Sequence, residues 1–127
     1  LGVATEPDLT GVEVAIGGRT ILLRQGKAPD WGTAPQPRHP RTVIGWNDTH
    51  FFLIVVDGRR KGFSAGMTYP ELSQLAAELG CTDALNLDGG GSSTLWLGGK
   101  VMNLPSDGVE RPVANALLVL DVGVPGR

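Results

Sequence analysis

With 127 residues, 41% of them hydrophobic and 19% charged, the chain has the length and composition of one ordinary globular domain. Its 11 basic and 13 acidic residues are interspersed and leave a formal charge of −2, which excludes a broad basic surface and hence nucleic acid as a partner. The longest apolar run, Phe51–Val56, falls far short of the roughly 20 residues that cross a bilayer, so no membrane span is expected.

The single Cys81 excludes an internal disulfide and a multi-cysteine zinc site, and its place after Gly80 suits a small buried residue. Glycine (19) and proline (9) are numerous and cut the chain into short segments without a repeat, which predicts many short strands. Residues 1–11 read as an irregular lead-in. "VEVAIGGRTILLR" places apolar runs on both sides of Gly17-Gly18, a hairpin signal with strands over 12–16 and 20–24. The proline-rich stretch 26–40 lacks periodicity and is expected to be an extended loop, with Trp31 serving as a sugar-stacking platform or a buried anchor.

"RTVIGW" and "HFFLIVVDG", on either side of a turn at Asn47-Asp48-Thr49, are β-branched and aromatic with few polar interruptions. They predict a hairpin at the sheet core, covered on both faces. Arg59, Arg60 and Lys61 follow in a glycine-rich turn and read as a solvated loop. The helix signal lies in "TYPELSQLAAELG": Thr68 as N-cap, Glu71 completing a capping box, Pro70 in the first turn, Gly80 past the end and a stripe of Leu72, Leu75, Ala76 and Leu79. "DALNLD" then predicts a strand that delivers Asp88 at its end, "TLWLGGKVM" a hairpin about Gly98-Gly99, and "NALLVLDV" a last buried strand. About eight strands and one helix over 68–80 indicate an α+β fold with a mixed, largely antiparallel β-sheet and long loops.

"LDGGGSS", residues 87–93, holds more glycine than a tight turn requires. Successive glycine amides can converge on an anion, and Ser92 and Ser93 would add hydroxyl donors. The spacing fits neither GxxxxGK[ST] nor GxGxxG, so both nucleotide fingerprints are excluded; a β-bulge or wide turn at positive φ is the structural alternative. Arg41, Asp57, Asp107, Arg111 and Asn115 fall at strand ends, where loops converge into sites. His39 and His50 lack partners at metal-ligand spacing and read as surface or packing residues.

The succession "RTVIGW", "VVDGR", "SAGMTYPELSQLAAELGCTDALNLDGGGSSTL" and "NLPSDGVERPVANALLV" resembles the phosphodiester glycosidase family from about Arg41 to Val122. The resemblance implies hydrolysis at a sugar–phosphate linkage and a secreted, cell-envelope or lysosomal-type setting. It carries the site onto Arg41, Asp88, Gly89, Gly90, Gly91, Ser92, Ser93, Asp107, Arg111 and Asn115. The family's upstream Asn-Gly-x-Phe-Phe segment does not occur here, so the chain is expected to be a single domain over 1–127 or the C-terminal part of a larger one. Its expected partners are a carbohydrate or sugar-phosphate substrate and either a separate N-terminal fragment or a second copy.

A phosphate monoester leaves more easily than an alkoxide, so the reaction calls for anion stabilisation more than proton donation. Arg41 and Arg111 are the expected phosphate clamps, Asp88 the nucleophile or base, and Asp107 the second choice. No cofactor is expected; a Ca²⁺ ion on Asp88, Asp107 and backbone carbonyls is the secondary reading, without an EF-hand series to support it. Two readings outside catalysis accompany this one: a carbohydrate- or phosphate-binding module, and a structural domain that pairs through an open sheet edge.

Overall fold

In the computed structural model, which describes residues 1–6, 8–120 and 123, the chain forms β1 (Thr20–Leu23), β2 (Arg41–Trp46), β3 (Phe51–Val56), α1 (Tyr69–Glu78), β4 (Asp83–Asn86), β5 (Trp96–Leu97) and β6 (Lys100–Val101). A 3-10 turn at Gly90–Ser92 lies between β4 and β5. The main sheet runs β1-β4-β2-β3 and β5 pairs with β6; every pairing is antiparallel. The α+β class therefore holds, with one helix against antiparallel sheets.

Alternation along β2 assigns the two faces. Val43 joins Leu22, Leu23, Leu72, Ala76, Cys81 and Ala84 under α1, whereas Ile44 and Trp46 join Leu87 on the other face, against Val3, Ile16 and Leu85. Gly45 is required on the helix side, since a Cβ there would lie 2.6 Å from Cys81 Sγ. Burial raises the Cys81 thiol above its ordinary pKa and keeps it neutral.

The helix forms where its caps predict. Thr68 Oγ1 accepts from Glu71 N at 3.4 Å, Glu71 Oε2 accepts from Thr68 N at 2.9 Å, and Gly80 follows the C-cap Leu79 at φ +88°. Its stripe sits differently from the expected one. Leu72 and Ala76 are buried but Leu79 is exposed, and Ser73 takes the remaining core place because its hydroxyl reaches Leu22 O at 2.8 Å.

Three strand expectations are corrected. Residues 12–16 form no strand: Ile16 packs under the sheet and Gly18 crosses closely over the Leu85 side chain, so the segment covers a face instead of extending the ladder. The β2–β3 hairpin forms, but β3 is an edge strand with Phe51 and Leu53 exposed, because β4 occupies the other side of β2. Residues 115–120 of the last expected strand are unpaired and exposed, since an apolar run becomes a strand only where a ladder partner stands; residues 121 and 122 lie outside the described ones. The loop 26–40 is irregular as expected, and Trp31 uses one ring face internally, stacked on Tyr69 at 5.8 Å.

Candidate functional site

The site grows out of the end of β4. Leu87 N donates to Thr42 O at 2.8 Å, extending the pairing with β2 by one residue, and Asp88 is then released to solvent at the sheet end. Its Oδ1 accepts from Gly89 N at 2.8 Å, which orients the carboxylate while Oδ2 takes no donor among the described residues.

Each glycine that follows has its own steric reason. A Cβ at Gly89 would lie 2.8 Å from Pro40 O; Gly90 sits at φ +62° with Arg59 Nη1 3.1 Å from its Cβ position; at Gly91 the Arg111 guanidinium and the Asp107 carboxylate fill the Cβ volume. The amides turn inward. Gly90 N donates to Pro40 O at 3.0 Å, Ser92 N to Gly89 O at 3.2 Å and Ser93 N to Gly90 O at 3.2 Å. The glycines thus serve close approach, and a concave cluster of free amides does not form around residues 89, 90, 92 and 93. The Ser93 side chain is buried, its hydroxyl 3.2 Å from Thr42 Oγ1.

A second loop closes over this turn through Asp57, one of the strand-end residues read from the sequence, and Asn103, which the sequence did not single out. Asp57, at the end of β3, accepts from Asn103 Nδ2 and Leu104 N, both at 3.0 Å. Asn103 in turn donates to Ser93 O at 2.9 Å and accepts from Leu95 N at 2.8 Å. Asp-Gly at 57–58 reads as a turn and Asn103 as a loop residue, so only the distance 57-to-103 in sequence conceals this staple. Beyond it, Asp107 Oδ2 accepts from Arg111 Nε at 2.9 Å and Nη2 at 2.5 Å, and both side chains remain about 40% exposed. The arrangement brings Asp107 and Arg111 directly onto the bare backbone of Gly91.

Arg41 is placed otherwise than as an open clamp. Only 6% exposed, it donates through Nε to Met67 O at 2.9 Å and through Nη2 to Pro37 O at 3.2 Å, with its guanidinium carbon 4.2 Å from the centre of the Tyr69 ring. Those contacts commit most of its fork to holding loops in place. Its backbone nevertheless borders Gly89, the Cα lying 3.7 Å from that residue's Cβ position. Asn115 is exposed and joins this group through no described contact.

Arg59 and His39 enter the site instead. Arg59 Nη2 faces His39 Nδ1 at 3.3 Å, and because guanidinium only donates, Nδ1 accepts and the ring proton lies on Nε2. Partial burial, followed by the charges of Arg59, Arg41 and Arg19, holds the His39 imidazole below its ordinary pKa. Among the described residues no group of three or more His, Cys, Asp or Glu is arranged to hold a metal ion.

With the geometry of this turn in place, the sequence profile of one family covers almost the whole chain. That profile, phosphodiester glycosidase, matches residues 2–120. The chain belongs to the phosphodiester glycosidase family. The match begins far upstream of Arg41 and takes in the lead-in and the proline-rich loop. The chain is 42% identical over 83 residues to the SPbeta prophage-derived uncharacterized protein YomE of Bacillus subtilis (strain 168), an alignment covering 65% of this chain and 13% of that protein. A crystal structure of a Burkholderia pseudomallei K96243 protein, provisionally described as exported, is similar at 44% identity and a TM-score of 0.52, over 55% of this chain and 14% of that one. A hypothetical protein from Synechocystis gives 30% identity and a TM-score of 0.57, over 72% and 18%. The chain thus spans less than a fifth of the length of each of these relatives. No described helix is long and apolar enough to cross a membrane.

Proposed function

We propose that this phosphodiester glycosidase-family chain contributes the catalytic face of a hydrolase that releases a sugar from a sugar-1-phosphodiester, in an exported or cell-envelope setting. The observation that carries the reading is the solvent-facing Asp88 carboxylate, oriented by the Gly89 amide and one turn away from Gly91, where the Asp107–Arg111 pair meets bare backbone. Asp88 takes the proton of a water as the water oxygen bonds to sugar C1, and the C1–O bond breaks with its electrons leaving on the phosphate monoester. The departing group is an anion that needs no proton, so one carboxylate and a cationic rim suffice where an ordinary glycosidase needs two carboxyl groups. Arg111, half-exposed and held at one edge by Asp107, presents its other edge to phosphate.

Asp88→Asn in the full-length protein is the decisive variant. It keeps the Oδ1 acceptor for Gly89 N but cannot accept a proton from water, and removal of a general base costs about 10²- to 10⁴-fold in turnover. A sugar-1-phosphodiester with a chromogenic aglycone, coupled to a phosphatase that frees the chromophore from the released phosphate monoester, reads the rate. Loss of turnover with an unchanged melting temperature is expected; wild-type rates in the variant would refute the assignment. Substrate binding without any turnover by the wild-type protein would instead favour a carbohydrate-binding module.

A further inference from the structure

Next to this site the connection from β3 to α1, over residues 57–67, presents three consecutive cations on a hydrogen-bonded loop. Arg60 N donates to Ser64 O at 2.9 Å, Ser64 N to Arg60 O at 3.0 Å, and Ser64 Oγ to Asp57 O at 2.6 Å. Arg60 Nη2 donates to Pro105 O at 2.8 Å, tying the loop to the one that carries Asp107 and Arg111. Two adjoining shallow, open depressions, of about 630 and 530 Å³, share Arg59, Arg60, Lys61 and Phe63 as lining; the first adds Arg38 and Ser64, the second Ser106 and Asp107. They form one groove that starts at the cations and ends at the loop carrying Asp107.

Several features of the groove are unfavourable for the protein alone. Among the described residues neither Arg59, Arg60 nor Lys61 has a carboxylate within salt-bridge distance; the two ion pairs found there belong to Arg38 and Arg111. Arg60 Nε is buried without an acceptor among the described residues, a state that calls for a partner such as an ordered water or a bound ion. Arg59 holds left-handed backbone at φ +56°, a cost that persists at sites of function. Phe63, 64% exposed beside the cations, offers an apolar ring to solvent.

We propose that this groove is a second anion site, which takes a phosphate of a phosphodiester-linked glycan one repeat away from the bond cleaved at Asp88. With Nη2 of Arg59 held on His39 and Nη2 of Arg60 on Pro105 O, each guanidinium keeps Nη1 to donate to one phosphate oxygen, Lys61 adds a point charge, and Phe63 packs on the apolar face of the intervening sugar. The formal charge of −2 and a cationic stretch of only three residues suit a short run of phosphates between sugars better than the continuous backbone of a nucleic acid, which selects a broad basic surface. The orientation toward Asp88 rests on the activity proposed above, but anion binding in the groove does not.

Direct binding separates the two. Full-length protein carrying Asp88→Asn, so that nothing is consumed, is titrated calorimetrically with a synthetic trisaccharide joined by two phosphodiesters and with a methyl sugar-1-phosphodiester of one phosphate. The trisaccharide is expected to bind at least about tenfold more tightly, as one added charge-assisted pair implies. Arg59→Gln and the double variant Lys61→Gln/Phe63→Ala should each abolish that advantage while circular dichroism shows the fold retained. Equal affinity for the two ligands, or a trisaccharide affinity unmoved by both variants, overturns the groove. Equal binding of a thymidine trinucleotide with the same two phosphates overturns the glycan assignment. Should the wild-type protein cleave no sugar-phosphodiester while the groove variants still lose the trisaccharide advantage, the groove stands and the activity falls.

Discussion

Gly89 and Gly91 stand two residues apart in one turn, yet a methyl group at each would meet different matter. At Gly89 it meets the backbone carbonyl of Pro40 at 2.8 Å, whereas at Gly91 it meets the ends of two flexible side chains, Arg111 and Asp107. Gly89→Ala is therefore predicted to destabilise the fold by about 1–3 kcal/mol, the usual range for overpacking against atoms that cannot move aside, as urea denaturation would show. Gly91→Ala displaces the ion pair at little cost to the fold; its melting temperature should change by only a few degrees while kcat/KM falls at least about tenfold, since a small misplacement at a site costs that much. Equal losses of stability in the two variants would contradict this division. The glycine triplet and Asp88 were legible as unusual backbone at a strand end because their residue types announce it. Asp57 was legible only as a strand-end residue, and Asn103 and Arg59 were not singled out, because an asparagine in a loop and an arginine in a basic turn look alike whether or not they hold a distant segment.

For the elements, legibility followed locality. The capping box of α1 is written within four residues and formed as read; Thr68→Ala should cost about 1 kcal/mol of stability in thermal melts. Glu71 in that box has its pKa lowered, first by the Thr68 backbone amide that donates to it, then with help from the Thr68 hydroxyl and the Arg38 charge. A depressed carboxyl contributes stability that is fully present above its unfolded value of 4.5 and is lost as pH falls through the folded value. Urea midpoints measured at pH 7 and pH 3 should thus converge in Glu71→Gln relative to the parent; an undiminished acid loss would remove Glu71 from its causes. His39 adds an acid-side penalty of the same sign. Its folded pKa lies below 6.5, so the unfolded chain binds the proton first as pH drops through that value, and stability declines. The helix stripe was legible only in part, since Ser73 is buried through a bond to a carbonyl 51 residues earlier, which no heptad or moment anticipates.

At the scale of the whole molecule, the order β1-β4-β2-β3 leaves β1 and β3 as edges, while Leu118, Val119 and Leu120 are about 70% exposed. Such an apolar run favours association with another segment or another copy. Leu118→Lys with Leu120→Lys is predicted to lower self-association in analytical ultracentrifugation and to leave the unfolding free energy of the sheet within about 0.5 kcal/mol, as expected of exposed positions. A large loss of stability would mean that the run belongs to the folded core. Composition, caps, turns and apolar periodicity alone determined the α+β class, the helix, the β2–β3 and β5–β6 hairpins and the place of Asp88, because each depends on neighbours a few residues away. Only the tertiary structure decided that β4 inserts beside β2, that Arg41 is occupied by carbonyls and Tyr69, that the glycine amides turn inward, and that Arg59 and Asp107 share one groove. Those outcomes depend on which distant segments compete for the same space and the same hydrogen bonds, and that competition has no period or motif along the chain.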